Sequence, residues 1–299
     1  MHLDLALILG SAVVGFLVGM TGLGGGALMT PMLVLLFGVS PSTAISSDLV
    51  AALFMKPAGV AIHWRQRTIQ RPVVKYLCYG SVPAAFAGTF VMHLMGQGAA
   101  AERDLQIVLG LALVAGAVSM TARSFLVRHH PDTGTPLVVR PLKTVLIGVI
   151  GGFMVGLTSV GAGSLILVLL LALYPTFRND HLVGTDLAQS LPLTFAATVG
   201  TLIFGHVVFS LTASIIVGGV PAVIVGSFIS SRSTSYLIRP VITGAVLLSG
   251  LKYLGIPTTA LGISALPITA IVIATMVRVH RTRMIPALVS LVDLTEPAQ

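Results

Sequence analysis

Charged residues are scarce in this sequence. Only 9% of its 299 residues are Asp, Glu, Lys or Arg, whereas soluble proteins carry about 25%. Because the chain is also 55% hydrophobic, it cannot cover its surface with polar groups, which excludes a water-soluble fold and makes lipid its solvent. Apolar runs of about 18 residues or more recur along the chain, as membrane-spanning helices require.

Cysteine is nearly absent as well. Cys78 is the only one, which excludes an intrachain disulfide and a multi-cysteine metal cage. No HxxxH or HExxH spacing occurs, so we expect neither a metal ion nor a cofactor. The first apolar stretch lacks a basic n-region and a convincing cleavage site, and we expect it to belong to the mature protein.

What the sequence does contain is a glycine-rich apolar phrase that occurs twice. Residues 15–26 are GFLVGMTGLGGG and residues 152–163 are GFMVGLTSVGAG. The match continues downstream with an offset of 134 to 138 residues, so that Asp48 corresponds to Asp186 and Lys56 to Thr194. A chain this apolar, built as two copies of one unit, is typical of a membrane transporter with internal symmetry.

Eleven apolar segments follow from the hydropathy. The first two of each copy span some 30 to 37 residues, too long for one crossing, and the glycine phrase divides them, which predicts two short helices in a hairpin. We therefore expect four parts: a first transmembrane repeat (1–122), a cytoplasmic linker (123–143), a second repeat (144–254), and a final helix with the C-terminal tail (255–299). The segments are 3–21, 25–38, 43–63, 72–93, 104–122, 144–159, 161–174, 183–204, 208–230, 237–254 and 260–278.

Basic residues set the orientation in the membrane. If each hairpin returns to the side it entered from, fourteen of them face the cytoplasm and only Arg103 and Lys252 face outward. We expect a multi-pass protein of the cell inner (plasma) membrane. Its N-terminus then lies outside the cell, and its linker and C-terminus lie in the cytoplasm. The fourteen are Arg65, Arg67, Arg71, Lys75, Arg123, Arg128, Arg140, Lys143, Arg178, Arg232, Arg239, Arg278, Arg281 and Arg283.

The count of basic residues on each side of the membrane also predicts the fold class. It is an all-α polytopic membrane protein of two inverted repeats, each a broken-helix hairpin plus three transmembrane helices, with one extra C-terminal transmembrane helix. A parallel duplication with an even number of crossings is the alternative. The net charge is +8, but the basic residues lie between apolar runs and form no patch. We therefore expect lipid and a small anion as partners and no nucleic acid. A homodimer is left open.

Two acidic residues lie inside apolar segments, at equivalent positions. Asp48 and Asp186 are proton-coupling candidates, because an ionised carboxylate in lipid is costly and normally faces a cavity or a partner. The alternative is that each caps the start of its own helix.

Lys56 is a cation in the middle of a predicted span, followed by Pro57, which kinks the helix. It suits an anionic substrate, with Thr194 at the matching depth of the second copy; the alternatives are an ion pair with Asp48 or Asp186, or snorkelling.

The glycine phrases are the other candidate binding elements. Free N–H groups at a half-helix N-terminus bind anions, so two such turns approaching each other would make an anion site; tight helix packing is the alternative explanation of the glycines. The candidate substrate-binding residues are Thr21, Gly22, Gly24, Gly25, Gly26, Lys56, Thr158, Ser159, Gly161, Gly163, Ser164 and Thr194.

The order and repetition of these motifs resemble the sulfite exporter TauE/SafE family, also called the toluene sulfonate uptake permease family. The resemblance rests on Gly22-Leu23-Gly24-Gly25-Gly26 followed by Pro31, on Gly38, on the small residues from Ala44 to Leu49, and on the weaker second half from Gly152. It implies a permease for sulfur-containing or organic anions, such as sulfite or sulfonates, driven by protons. The chain departs from the family pattern at Ser159 and Ala162, which replace glycines.

The predicted function is therefore a secondary transporter, with alternating access around a midplane site between the two glycine turns. An anion channel with the same backbone sites but no coupling is the first alternative. An intramembrane enzyme is the second, and it is disfavoured because the spans carry no nucleophile–base pair or metal motif.

Overall fold

The computed structural model describes residues 4–21, 25–95, 98–126, 138–161, 163–175, 177, 179–230 and 238–257, with residues 259, 261, 267 and 274. The described residues form ten α-helices and no β-strand. Gly22, Gly24, most of the linker and most of the predicted last segment lie outside the described residues. The helices are α1 (Leu5–Thr21), α2 (Gly26–Phe37), α3 (Pro41–Arg65), α4 (Arg71–Leu94), α5 (Ala99–Leu126), α6 (Pro141–Thr158), α7 (Leu165–Leu173), α8 (Asn179–Phe204), α9 (Phe209–Ser230) and α10 (Ile238–Tyr253).

Helix length separates spanning helices from half-length ones. Within the described residues, six helices are long and apolar enough to cross a membrane: α3, α4, α5, α6, α8 and α9. With 12 and 9 residues, α2 and α7 reach only about 18 and 14 Å, well short of a bilayer core of about 30 Å. Each follows a glycine phrase, so the all-α fold with broken helices is confirmed.

The half-length helices fold back on the helices before them. A Cβ at Gly10 on α1 would lie 3.1 Å from the Met32 sulfur and 3.3 Å from the Phe37 ring on α2. A Cβ at Gly151 on α6 would lie 2.6 Å from Cδ1 of Ile166 on α7. Residues flanking each glycine phrase therefore face one another, which defines the hairpins α1–α2 and α6–α7.

The first helix of each hairpin packs on the other copy. A Cβ at Gly15 of α1 would lie 2.6 Å from the Gly219 oxygen of α9, and one at Gly152 of α6 would lie 2.6 Å from Cα of Ser81 on α4. These two contacts occupy equivalent positions in the duplicated sequence. Since backbones approach this closely only where side chains are absent, the glycines serve helix packing here.

In two of the helix pairs, a helix of the first copy packs on the equivalent helix of the second copy. On α3 and α8, Thr198 donates to the Leu49 carbonyl at 3.0 Å, and Lys56 donates to Thr194. As α3 advances from residue 49 to 56, its partner residue falls from 198 to 194, so the two helices run antiparallel. The pair α5 and α10 is in contact as well.

Polarity is distributed as lipid requires. Large apolar side chains cover the outside, among them Leu36 at 77% exposure and Phe195 at 58%. Serines, threonines and both candidate carboxylates lie inside, including Ser47, Asp48 and Asp186 at 2% exposure or less. A polar interior under an apolar surface suits a bilayer as the solvent.

Candidate functional site

The two glycine turns touch one another. A Cβ at Gly26 would overlap the carbonyl oxygen of Ser159 and would lie 2.6 Å from its carbonyl carbon. Both residues are buried. Gly26 is the first residue of α2, and Ser159 ends α6, where its φ of 59° closes the helix through an N–H bond to Val155. The N-terminus of the half-length helix α2 of the first copy thus contacts the end of α6 in the second copy.

Threonines close the helices before each turn. Thr21 donates its hydroxyl to the Leu17 carbonyl, and Thr158 donates to Met154, both at 2.7 Å. A threonine hydroxyl that bonds the carbonyl four residues earlier slightly destabilises the helix, and both of these threonines lie in the last turn of the helix that precedes the glycine turn. Both hydroxyl protons are therefore used within the chain, although both threonines lie beside the turns.

Asp48 links the second glycine turn to α2 of the first copy. Its Oδ2 accepts a hydrogen bond from Ser159 of the second copy at 2.7 Å and one from Thr30 on α2 at 3.0 Å. The side chain is fully buried, and Oδ1 has no hydrogen-bond partner in the described part of the chain. Because α3 begins at Pro41, Asp48 lies beyond its first turn, so the hypothesis that it caps its own helix is wrong.

Asp186 is held differently. It accepts from Gln189 on its own helix at 3.4 Å and from the backbone N–H of Gly163, two residues before α7. Ser81 on α4 in turn donates to Gln189 at 3.0 Å. As Gly163 belongs to the second glycine turn, Asp186 contacts the turn of its own copy, whereas Asp48 reaches the turn of the other copy.

Lys56 lies between these carboxylates. It is partly buried and donates a hydrogen bond to Thr194, its counterpart in the second copy. Both Asp48 and Asp186 interact electrostatically with its ammonium, and Arg123 on α5 interacts with Asp186 as well. The centre thus combines two carboxylates with two cations. Each of Lys56 and Thr194 is the sixteenth residue of its helix, just past the middle of α3 and α8.

The second turn depends on glycine for its shape. Gly161 and Gly163 have φ values of 126° and 86°, which side chains strain to adopt. Ser164 precedes α7 and is buried, and its hydroxyl has no partner within the described residues. Gly25, at the N-cap of α2, has an ordinary helical φ of −63°. Gly22 and Gly24 of the first turn lie outside the described residues.

Three further polar residues belong to this centre, and sequence reasoning missed them: Thr30, Ser81 and Gln189. All are completely buried within apolar helices. The signal available in the sequence was a polar residue inside an apolar segment. Such a side chain normally has a hydrogen-bond partner within the protein. The three histidines that lie near predicted segment ends remain outside the centre; His63, for example, hydrogen-bonds Thr68 at 2.9 Å.

The two ends of the α3–α8 pair differ. Where α3 ends and α8 begins, the Gln70 N–H donates to Thr185 at 3.1 Å, and the Gln70 amide bonds His181 at 2.8 Å. At the opposite end lies a depression of about 560 Å³. It is lined by Asp4, Leu7, Val39, Thr43, Val208, Ser210, Leu211 and Ser214.

An apolar exterior, six helices of spanning length and a buried polar centre between two duplicated halves define a multi-pass membrane protein of the transporter class. A family model described as "Sulfite exporter TauE/SafE" matches residues 7–253. The chain belongs to this family, as the sequence motifs predict.

Similar proteins carry the same general description. The chain is 39% identical over 254 residues to "Probable membrane transporter protein YjnA" of Bacillus subtilis, covering 84% of this chain and 99% of that protein. It is 23% identical to "Probable membrane transporter protein YdhB" of the same organism, over 81% of this chain and 95% of that protein. No solved structure matches. The protein is therefore a membrane transporter of the TauE/SafE family.

Proposed function

We propose that the protein is a secondary transporter that moves small sulfur-containing or organic anions, such as sulfite or sulfonates, together with protons. The observation that carries this proposal is the contact of the two glycine turns next to Asp48, in a centre where Lys56 interacts electrostatically with both buried carboxylates. Backbone N–H groups and one lysine suit a small anion with several oxygen acceptors. The family description, sulfite exporter, supports the choice of sulfur oxyanions.

Charge balance supports coupling to protons. Both carboxylates interact electrostatically with Lys56, and Asp186 interacts with Arg123 as well. Two cations thus balance two carboxylates, and the centre is close to neutral before any substrate enters. Adding an anion to a buried, neutral centre is costly, because the low dielectric there strengthens every uncompensated charge. A proton taken up by one carboxylate restores the balance. Co-transport of one proton with each monovalent anion is therefore the expected mode.

An inverted arrangement of the two halves provides the symmetry for alternating access, and we propose it for this protein. In support, α3 and α8 are equivalent in the duplicated sequence and cross in antiparallel directions near Lys56 and Thr194. A twofold axis that relates antiparallel spanning helices lies in the membrane plane, as in inverted-repeat transporters. The basic residues then put the N-terminus outside and the linker inside the plasma membrane.

The two ends of this pair suggest which state the structure represents. The bonds of Gln70 to Thr185 and His181 tie the end that the charge pattern assigns to the cytoplasm. The depression lies at the end assigned to the outside. We infer a state that is closed at the cytoplasmic end, where the Gln70 bonds must open to release substrate.

Transport in proteoliposomes tests the proposal. Methanesulfonate is a suitable probe beside sulfite, because a sulfonate stays ionised and carries no proton itself. For electroneutral co-transport with one proton, a pH gradient of one unit should accumulate the sulfonate about tenfold on the alkaline side. Strictly downhill flux that ignores the pH gradient would indicate an anion channel instead. Absence of any protein-dependent flux of either anion would refute the substrate class.

A further inference from the structure

The two equivalent carboxylates are not equivalent in their contacts. Asp186 is bound by Gln189 and by the Gly163 N–H. Among the described residues, no oxygen of Asp186 is both buried and without a partner. Asp48 has such an oxygen, Oδ1, while its Oδ2 accepts two hydroxyl protons. A fully buried carboxylate oxygen without a donor is costly unless a proton or another cation binds it.

The surroundings of this oxygen favour a small ligand. Gly25 is its neighbour, and a Cβ built there would lie 3.9 Å from Oδ1. The donors that reach Asp48 are neutral: Thr30 from α2 and Ser159 from the end of α6. Lys56, on the same helix as Asp48, is the charged group whose field reaches this carboxylate within the described residues.

We propose that Asp48, and not Asp186, takes up the coupling proton, and that this proton weakens the hydrogen bond by which Ser159 of the second glycine turn is held to α3 of the first copy. This inference rests on the proposed function, because it assigns the proton of that transport cycle to one residue. The proton adds to Oδ1 and turns the carboxylate into a neutral carboxylic acid. No other covalent bond changes.

The weakening follows from the nature of the bond. A hydroxyl donating to an ionised carboxylate makes a charge-assisted bond, about twice as strong as a neutral one. Protonation removes this assistance on the Ser159–Asp48 bond. That bond connects the second copy's turn to α3 of the first copy, next to the backbone contact between Gly26 and Ser159. Once it weakens, the two turns are freer to separate and admit the anion between them.

The asymmetry of the glycine phrases supports the same assignment. Ser159 stands where the first copy has Gly22, and glycine has no side chain that could donate such a bond. Ser159 does so in a left-handed backbone conformation that glycine adopts more readily. The departure from the glycine pattern thus supplies the donor for Asp48, and the first copy's glycine offers Asp186 no such donor.

Infrared difference spectroscopy of the purified protein tests the assignment without any substrate. On acidification, the wild type should gain a carboxylic-acid carbonyl band that Asp48→Asn removes and Asp186→Asn retains. In Ser159→Ala the band should persist to higher pH, because a donor that favours the charged form is gone. Loss of the band in Asp186→Asn but not in Asp48→Asn would overturn the proposal. So would an identical pH dependence in Ser159→Ala and wild type.

Proteoliposomes give a second readout with the same variants. Under a pH gradient of one unit, the methanesulfonate accumulation ratio should fall from about ten to about one in Asp48→Asn. The ratio in Asp186→Asn should still follow the gradient, even if the rate is lower. A ratio near ten in Asp48→Asn would refute the role of Asp48. If wild type shows no flux, the proposed function fails, and the infrared titration still decides where the proton binds.

Discussion

Gly26 and Gly25 are adjacent glycines that should respond in opposite ways to the same substitution. In Gly26→Ala the new methyl group would lie 2.6 Å from the Ser159 carbonyl carbon, whereas carbon atoms in contact are normally about 3.5 to 4.0 Å apart. The two turns must therefore separate by about 1 Å. In Gly25→Ala the nearest atom to the methyl group among the described residues would be Oδ1 of Asp48 at 3.9 Å, in a helical conformation that alanine favours.

The size of the effect follows from packing. Overfilling a close contact costs about 1–3 kcal/mol, so Gly26→Ala should lower the melting temperature by several degrees. Gly25→Ala should leave it unchanged or raise it slightly, since alanine restricts the unfolded chain by about 0.4–1 kcal/mol. Gly26→Ala should also slow methanesulfonate uptake, because the turns no longer meet in the native geometry.

Thermal unfolding in detergent and uptake into proteoliposomes measure the two effects. Gly25→Ala is the matched control, because it makes the same chemical change one residue away in the same turn. If Gly26→Ala were as stable and as active as Gly25→Ala, the contact between the two glycine turns would not exist in the functional protein.

Three further predictions concern other contacts. The losses of unfolding free energy in Ser159→Ala and Asp48→Asn should be non-additive in the double variant, with a coupling energy of about 1 kcal/mol from the charge assistance of their hydrogen bond. Additive losses would contradict this bond. Lys56→Met should weaken methanesulfonate binding at least about tenfold in a thermal-shift titration, and unchanged affinity would remove Lys56 from the site. Gly156→Ala should destabilise the protein, because its methyl group would overlap the Ala85 carbonyl oxygen on α4, whereas Gly116→Ala, with neighbours at 3.5 Å or more, should be tolerated. Equal melting temperatures for the last two variants would argue against close packing of α4 on α6.

Much of the helical architecture could be predicted from the sequence, because the solvent dictates it. Apolar runs interrupted by glycine phrases predict spanning helices and half-length ones, and the ten predicted segments that fall on described residues each contain a helix. Local signals set several ends. Gly38 closes α2 in a left-handed conformation, and a proline lies in the first turn of both α4 and α6.

The centre of the protein could be predicted only in part. The alignment of the copies makes Thr194 the counterpart of Lys56, and the two residues form a hydrogen bond where the duplicated helices α3 and α8 meet. The partner of Asp48 could not be predicted in this way. Ser159 is 111 residues distant and breaks the repeat pattern, so neither local spacing nor symmetry points to it. The position of Asp48 near a segment start suggested a cap on its own helix instead.

The proposed transport cycle carries one proton across the membrane with each anion through this centre. The most direct measurement reverses the usual experiment: an inward methanesulfonate gradient is imposed on proteoliposomes without a pH gradient, with the membrane potential clamped, and the internal pH is recorded. Because coupling is reciprocal, the sulfonate gradient should acidify the interior, with about one proton entering per sulfonate. Sulfonate entry without any change in internal pH would contradict the account.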